Sequence, residues 1–99
     1  MSILAKTYQQ GKERLFAACD QELLGKTLRD DPIKFEVLPT FYGDEAVSEA
    51  DFARHMQQCT VANLIGKRCV DLAIRLGFVD PENVLHIQGV PHAQYAVLF

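Results

Sequence analysis

Ile33, Phe35 and Val37 alternate with Lys34 and Glu36 in the stretch PIKFEVLP. This is the clearest period-two signal in the chain, and it predicts a strand with one buried face. Pro32 and Pro39 bracket it, which suits strand ends or an edge position. Upstream, residues 3–8 and 14–18 predict a hairpin turning at Gln10-Gly11-Lys12, with Gly11 free to take positive φ. Asp20 then stands ready to cap a short helical turn, with Glu22 at its positive end and Gly25 to close it.

The pattern changes to helical spacing after TFYGDEAV, where Gly43-Asp44 breaks the chain. Ser48 with Asp51 three residues on resembles a capping box and opens a helix over 49–58, with Ala50, Phe52, Ala53 and Met56 as its buried side. Thr60 caps a second, longer helix over 60–76, in which Val61, Leu64, Ile65, Cys69, Leu72, Ala73 and Leu76 form a broad apolar stripe. Gly77 stops this helix, and Phe78 folds back on its last turn. Gly66 is an anomaly within it, since a mid-helix glycine costs about 1 kcal/mol relative to alanine. It implies that something packs very close there. DPEN is a turn, VLHIQ a strand, GVPHA an interruption and QYAVLF a last strand. The expected order is β-β-β-α-α-β-β. It defines an α+β fold, a mostly antiparallel sheet of about five strands with a helical pair packed on one face.

A chain of 99 residues suits a single domain over 1–99. With 48% hydrophobic and 23% charged residues it has the composition of a folded globule rather than a disordered segment. The formal net charge of −3 argues against strongly electrostatic nucleic-acid binding. It leaves room for a local basic patch at Lys26, Arg29 and Lys34, or at Lys67, Arg68 and Arg75. No apolar run approaches the roughly 20 residues that span a bilayer, and the start of the chain lacks a signal-peptide pattern. The expected setting is cytoplasmic, without a membrane. Cys19, Cys59 and Cys69 are an odd set with no C-x-x-C spacing, so reduced, buried thiols are expected rather than disulfides.

Candidate chemistry is sparse. In IQGVPHAQY, Pro91 fixes φ and pushes Val90 toward extended geometry, so His92 and Gln94 point to one side of an extended segment. Such a pair could hold a ligand, or His92 could simply fix the loop. Cys19 before a helical turn is the one arrangement suggesting a nucleophile, and no histidine is placed beside it by the sequence. His55 and Cys59 share a helix face, but two ligands make no zinc site, and no metal or cofactor is expected. Gly25-Lys26-Thr27 has the tail of a phosphate-binding loop without its upstream glycine. In FYG, two adjacent aromatics cannot both turn inward comfortably: either one is exposed, as Tyr42 would be in stacking on a base or filling a partner's pocket, or one enters the core and the other covers the helix end.

AACDQELLGKT, FYGDEAV, TVANLIGKRCVDLAIRLGFVDPENV and GVPHAQ, in this order and spacing, resemble an archaeal family of uncharacterised proteins, domain of unknown function 424. The resemblance runs through nearly the whole chain. It implies a small cytoplasmic archaeal protein and carries no reaction. Among the positions matching those words, Lys26, Asn63, His92 and Gln94 resist a packing explanation. They are expected to converge at the N-terminus of the 60–76 helix, where free N–H groups would suit an anion. The leading functional expectation is a non-catalytic module that binds RNA, a ribonucleoprotein or a protein through Lys26, Tyr42, Asn63, His92 and Gln94, in a translation or RNA-processing setting. One alternative is an enzyme with His92 as general acid or base. Another is a structural subunit that associates through its last strand, as a homodimer for example.

Overall fold

The computed structural model describes residues 1–43 and 45–97, so Asp44 of the expected turn and Leu98 and Phe99 of the expected last strand lie outside it. The elements are β1 (Ile3–Gln10), β2 (Glu13–Asp20), β3 (Thr27–Asp30), β4 (Ile33–Glu36), α1 (Pro39–Tyr42), β5 (Glu45–Val47), α2 (Glu49–Gln58), β6 (Val61–Ile65), α3 (Lys67–Arg75), β7 (Leu85–Ile87) and β8 (Val90–Ala96). Short 3-10 turns at Gln21–Leu23 and Pro81–Asn83 interrupt the connections. Six strands form one sheet in the order β5-β1-β2-β6-β8-β7, and β3 pairs with β4 in a separate hairpin. All pairings are antiparallel except β2 with β6. The α+β class stands, with a larger sheet than expected.

The chief correction concerns residues 60–76, which are not one helix. Val61–Ile65 is an inner strand, and the helix begins only at Lys67. Ala62 and Leu64 point to the helix side and Ile65 to the other, all fully buried. A strand covered on both faces reads as a nearly continuous apolar run, and here that run falls in phase with the stripe of the helix behind it. Gly66 is the joint. Its φ of +117° is open to glycine alone, and a β-carbon there would lie 2.4 Å from Asp20 Cγ. The close approach inferred from the sequence is therefore real, but it lies at a strand-to-helix corner.

Asp20 explains that corner. Its side chain does not cap the turn at Gln21–Leu23 as expected. Its carboxylate instead accepts the backbone N–H groups of Arg68 (3.0 Å) and Cys69 (2.8 Å) in the first turn of α3. A residue at the end of one strand thus caps a helix that grows from the neighbouring strand, and a buried carboxylate finds donors and the positive helix end together. Arg68 folds back over it and clasps Glu22 with two bonds of 3.0 Å.

The helical pair does pack on one face. Phe52 and Met56 of α2 and Cys69, Val70, Leu72 and Ala73 of α3 join Phe16, Ala18, Ala62 and Leu64 of the sheet. Ser48 caps α2 through the Asp51 N–H at 3.1 Å, but Ala50, expected inside, is exposed. Missed in the sequence were β3, β5 and the single-turn α1. The β3–β4 hairpin and α1 cover part of the opposite face, where Leu28, Val37 and Tyr42 bury Leu4, Cys19, Ile65 and Ile87. Gly43 lets the chain leave α1 hard against β1, since a β-carbon there would lie 2.6 Å from the Ala5 carbonyl oxygen.

Replacing Asp20 by alanine should cost about 1–3 kcal/mol, the range for losing a cap and leaving partly buried N–H groups unpaired. Gly66→Ala should cost more, through both φ and the clash. The double variant Asp20→Ala/Gly66→Ala should lose less than the sum, because shortening Asp20 relieves part of the collision. Urea unfolding midpoints measure all three, and strictly additive losses would show that the two positions do not meet.

Candidate functional site

The strand register stacks three rows of side chains on the face turned away from α2 and α3. Tyr8, Leu15, Val61 and Ala96 form one row, and Lys6, Ala17, Asn63 and Gln94 the next. Leu4, Cys19, Ile65, His92 and Leu85 form the third. The hairpin and α1 close over Leu4, Cys19, Ile65 and His92 of the third row, leaving Leu85 exposed, and leave the β8 end of the other two rows uncovered, with Gln94 and Ala96 exposed and Asn63 and Val61 half-buried.

Within this register Asn63 and His92 meet. Gly66 N–H bonds the Pro91 carbonyl (2.9 Å) and Val97 N–H bonds that of Thr60 (2.8 Å), so the odd-numbered residues of β8 carry the ladder to β6. Asn63–Gln94 and Ile65–His92 are therefore pairs of the non-hydrogen-bonded kind, whose side chains stand closest. His92 lies diagonal to Asn63, and its Nε2 is 3.3 Å from Asn63 Oδ1. The Tyr42 hydroxyl donates to the same oxygen at 2.6 Å. Phe35 of the hairpin tilts over the His92 ring at 4.8 Å. With His92 in its Nε2–H tautomer, two donors hold the Asn63 oxygen inward. Among the described residues the amide nitrogen makes no internal hydrogen bond and no buried side-chain polar atom lacks a partner, so this N–H₂ opens to solvent beside Gln94.

Of the five residues expected at the site, Tyr42, Asn63 and His92 form one bonded cluster, and Gln94 flanks it. The cause differs from the expected one: adjacent strands bring them together, not the start of a long helix. Tyr42 is corrected from an exposed ring to a buried one, at 2% exposure, that orients Asn63. Lys26 is exposed at the base of the hairpin, and its side chain bonds none of the other four. The adjacent FY rings both find cover. Phe41 stacks on Tyr8 at 5.6 Å, and the Tyr8 hydroxyl and Lys6 Nζ bond the Thr40 carbonyl at 3.0 and 3.2 Å. Sequence reading missed Lys6 and Tyr8, and it gave Phe35 only as part of a strand's buried face and Phe41 only as the neighbour of Tyr42. Only the parity of β1 could have placed Lys6 and Tyr8 on this face.

Electrostatics at the cluster favours neutral groups. Burial lowers the His92 pKa below its ordinary value and raises that of the Tyr42 phenol. Among the described residues no carboxylate contacts His92. Cys19, the suggested nucleophile, is fully buried, and burial together with Asp20 and Glu22 pushes its thiol up to about 12. None of three clefts, of about 410, 540 and 280 Å³, is lined by Lys26, Tyr42, Asn63, His92 or Gln94, although Tyr8 and Leu15 border the first. No group of three metal-ligating side chains comes together among the described residues. Among the described residues no helix is long and apolar enough to cross a membrane.

Fold and cluster together define a small α+β sheet protein with an interior polar cluster under a partly open sheet face. The chain belongs to the family described as protein of unknown function (DUF424), whose pattern matches residues 8–98. A crystal structure of an uncharacterized conserved protein from Methanopyrus kandleri is similar, with a TM-score of 0.80 at 19% identity over 95% of this chain and 90% of that one. That likeness establishes the fold. No curated protein matches the chain.

A buried neutral histidine ties stability to pH. Near and below about pH 6.5 the unfolded chain takes up a proton that the buried His92 ring resists. Stability from this site should therefore be complete above that pH and decline as pH falls toward the depressed folded value. His92→Gln keeps a donor for Asn63 and should flatten this part of the decline. Thermal midpoints of both proteins between about pH 8 and 5 compare them, and parallel curves would mean that the ring protonates freely.

Proposed function

We propose that the protein is a non-catalytic binding module that holds a single-stranded segment of RNA, free or within a ribonucleoprotein, against the open part of this sheet face. The observation that carries the reading is the Asn63 amide. Two interior donors pin its oxygen, so its N–H₂ is presented beside the exposed Gln94 without rotational freedom to lose on binding. Paired amides offer donors and acceptors to base edges, and the half-buried rings of Tyr8 and Phe41 lie at the far end of the same face. Three inter-strand spacings, from β1 to β8, separate the two ends by about 14 Å, enough for several nucleotides.

Charge supports a short-range mode of binding. The basic residues of α3 are spent in ion pairs, Lys67 with Asp71, Arg68 with Glu22 and Arg75 with Glu49. On the hairpin, Lys34 pairs with Glu36, while Lys26 and Arg29 have no ion pair among the described residues. Binding of this kind depends weakly on salt. A cytoplasmic setting in translation or RNA processing suits such a module. The enzyme reading with His92 as acid or base is disfavoured by the ring's burial, its lowered pKa and the lack, among the described residues, of a carboxylate in contact with it.

Fluorescence anisotropy with labelled single-stranded RNA of mixed sequence tests this. The wild-type protein should bind saturably. Gln94→Ala and Tyr8→Ala should each weaken binding about 5–10-fold, corresponding to roughly 1–1.4 kcal/mol. Absence of saturable binding, together with purification from native cells with a protein partner and no RNA, would replace the RNA reading with a protein-binding one.

A further inference from the structure

The outer edge of β8 is only half covered. β7 pairs with Val90–His92 and stops, so among the described residues the edge is bare from Ala93 onward. Since the odd-numbered residues of β8 bond to β6, the backbone N–H and C=O groups of Gln94 and Ala96 point away from the sheet. Both residues are exposed. Proteins usually blunt such an edge with a charge, a proline or a bulge. The run Ala93-Gln94-Tyr95-Ala96-Val97 has none of these. The opposite edge of the sheet, β5, is three residues long and carries Glu45. The flank of the bare edge is apolar on the helix side: Phe78 meets Tyr95 edge-on at 5.7 Å, both half-buried, and Val97 is 39% exposed.

We propose that two copies of the chain associate through this edge, β8 pairing antiparallel with β8 of a second copy about a two-fold axis at Tyr95. Gln94 then lies opposite Ala96 of the second copy, and the two exchange N–H···O=C bonds. The symmetry repeats the exchange, so the outward N–H and C=O groups of Gln94 and Ala96 are all satisfied in both copies. Tyr95 meets its own copy as a non-hydrogen-bonded pair, where side chains stand closest, and brings the Phe78 ring beside it. A second copy also brings Tyr95 and Phe78 to the axis, a matching apolar flank beside the ladder that an arbitrary extended peptide does not supply. The edge matches itself, because its register, its lack of charge and its apolar flank are complementary under the two-fold operation. Association through the edge is independent of what the sheet face binds.

Size-exclusion chromatography with light scattering is expected to show the mass doubling from 11.1 kDa as concentration rises. Ala96→Pro removes an outward N–H while sparing every bond to β6. It should give a monomer with an unchanged far-ultraviolet circular dichroism spectrum. Tyr95→Cys places two sulfurs across the axis within disulfide reach, and oxidation should yield a covalent dimer, since the native cysteines are buried. A wild-type protein that stays monomeric throughout would overturn the proposal. So would a dimer that survives Ala96→Pro, because it would use another surface. Should Ala96→Pro fail to fold, the Tyr95→Cys cross-link decides, and its absence counts against the edge.

Discussion

The carboxylate of Asp20, at the end of one strand, holds the first turn of a helix that begins on the strand beside it. This contact requires β2 and β6 to run parallel and to end at the same level, and it requires a corner without a side chain at Gly66. Burying a carboxylate is costly unless donors meet it, and here two backbone N–H groups and the helix dipole do so, with Arg68 closing over the top. The helix is thereby fixed in position as well as capped. Cys69, Val70 and Ala73 are then directed onto the sheet with essentially no exposure, and the register of β6 follows from that of β2. That register in turn sets which residues of β8 face Asn63.

Sequence reading recovered the elements whose apolar period is unambiguous and failed where two periods agreed. The first hairpin, the strand beginning at Ile33 and the α2 cap at Ser48 follow local rules, and each is present, although Ile33, expected on the strand's buried face, is 49% exposed. In VANLIGKRCVDLAIR, Val61, Leu64 and Ile65 keep step with Cys69 and Leu72 by coincidence of spacing, although the first three belong to a strand. Gly66 was the available signal. A glycine costs a helix interior, and here it marks the place where the helix had not yet begun. Asp20 misled for a related reason. A capping residue is recognised by its neighbours in sequence, and this one caps across 48 residues.

The proximity of Asn63 and His92 was anticipated, but the reason for it was not visible. Parity within a strand places His92 and Gln94 on one face, and nothing local says that Asn63 lies across from them. The placement of Tyr42 depends on α1, a single turn begun by Pro39 and ended at Gly43, too short to leave a periodic trace. Its ring is buried because Phe41 takes the Tyr8 stack, which frees Tyr42 to turn inward under Phe35. An aromatic pair that looks overexposed in the sequence thus divides between two neighbours.

The same alternation that builds the cluster keeps the two open features of β8 apart. Along an extended strand the even-numbered residues send their side chains to the face and, in β8, their backbone groups to the edge. Gln94 therefore offers its amide beside Asn63 in one direction and its peptide groups in another, roughly at right angles. A partner on the face and a second copy at the edge do not compete for the same atoms. Pairing at the edge would continue the sheet from one copy into the next and set two amide rows side by side on one surface. The longer surface follows from strand parity alone and needs no change in either copy.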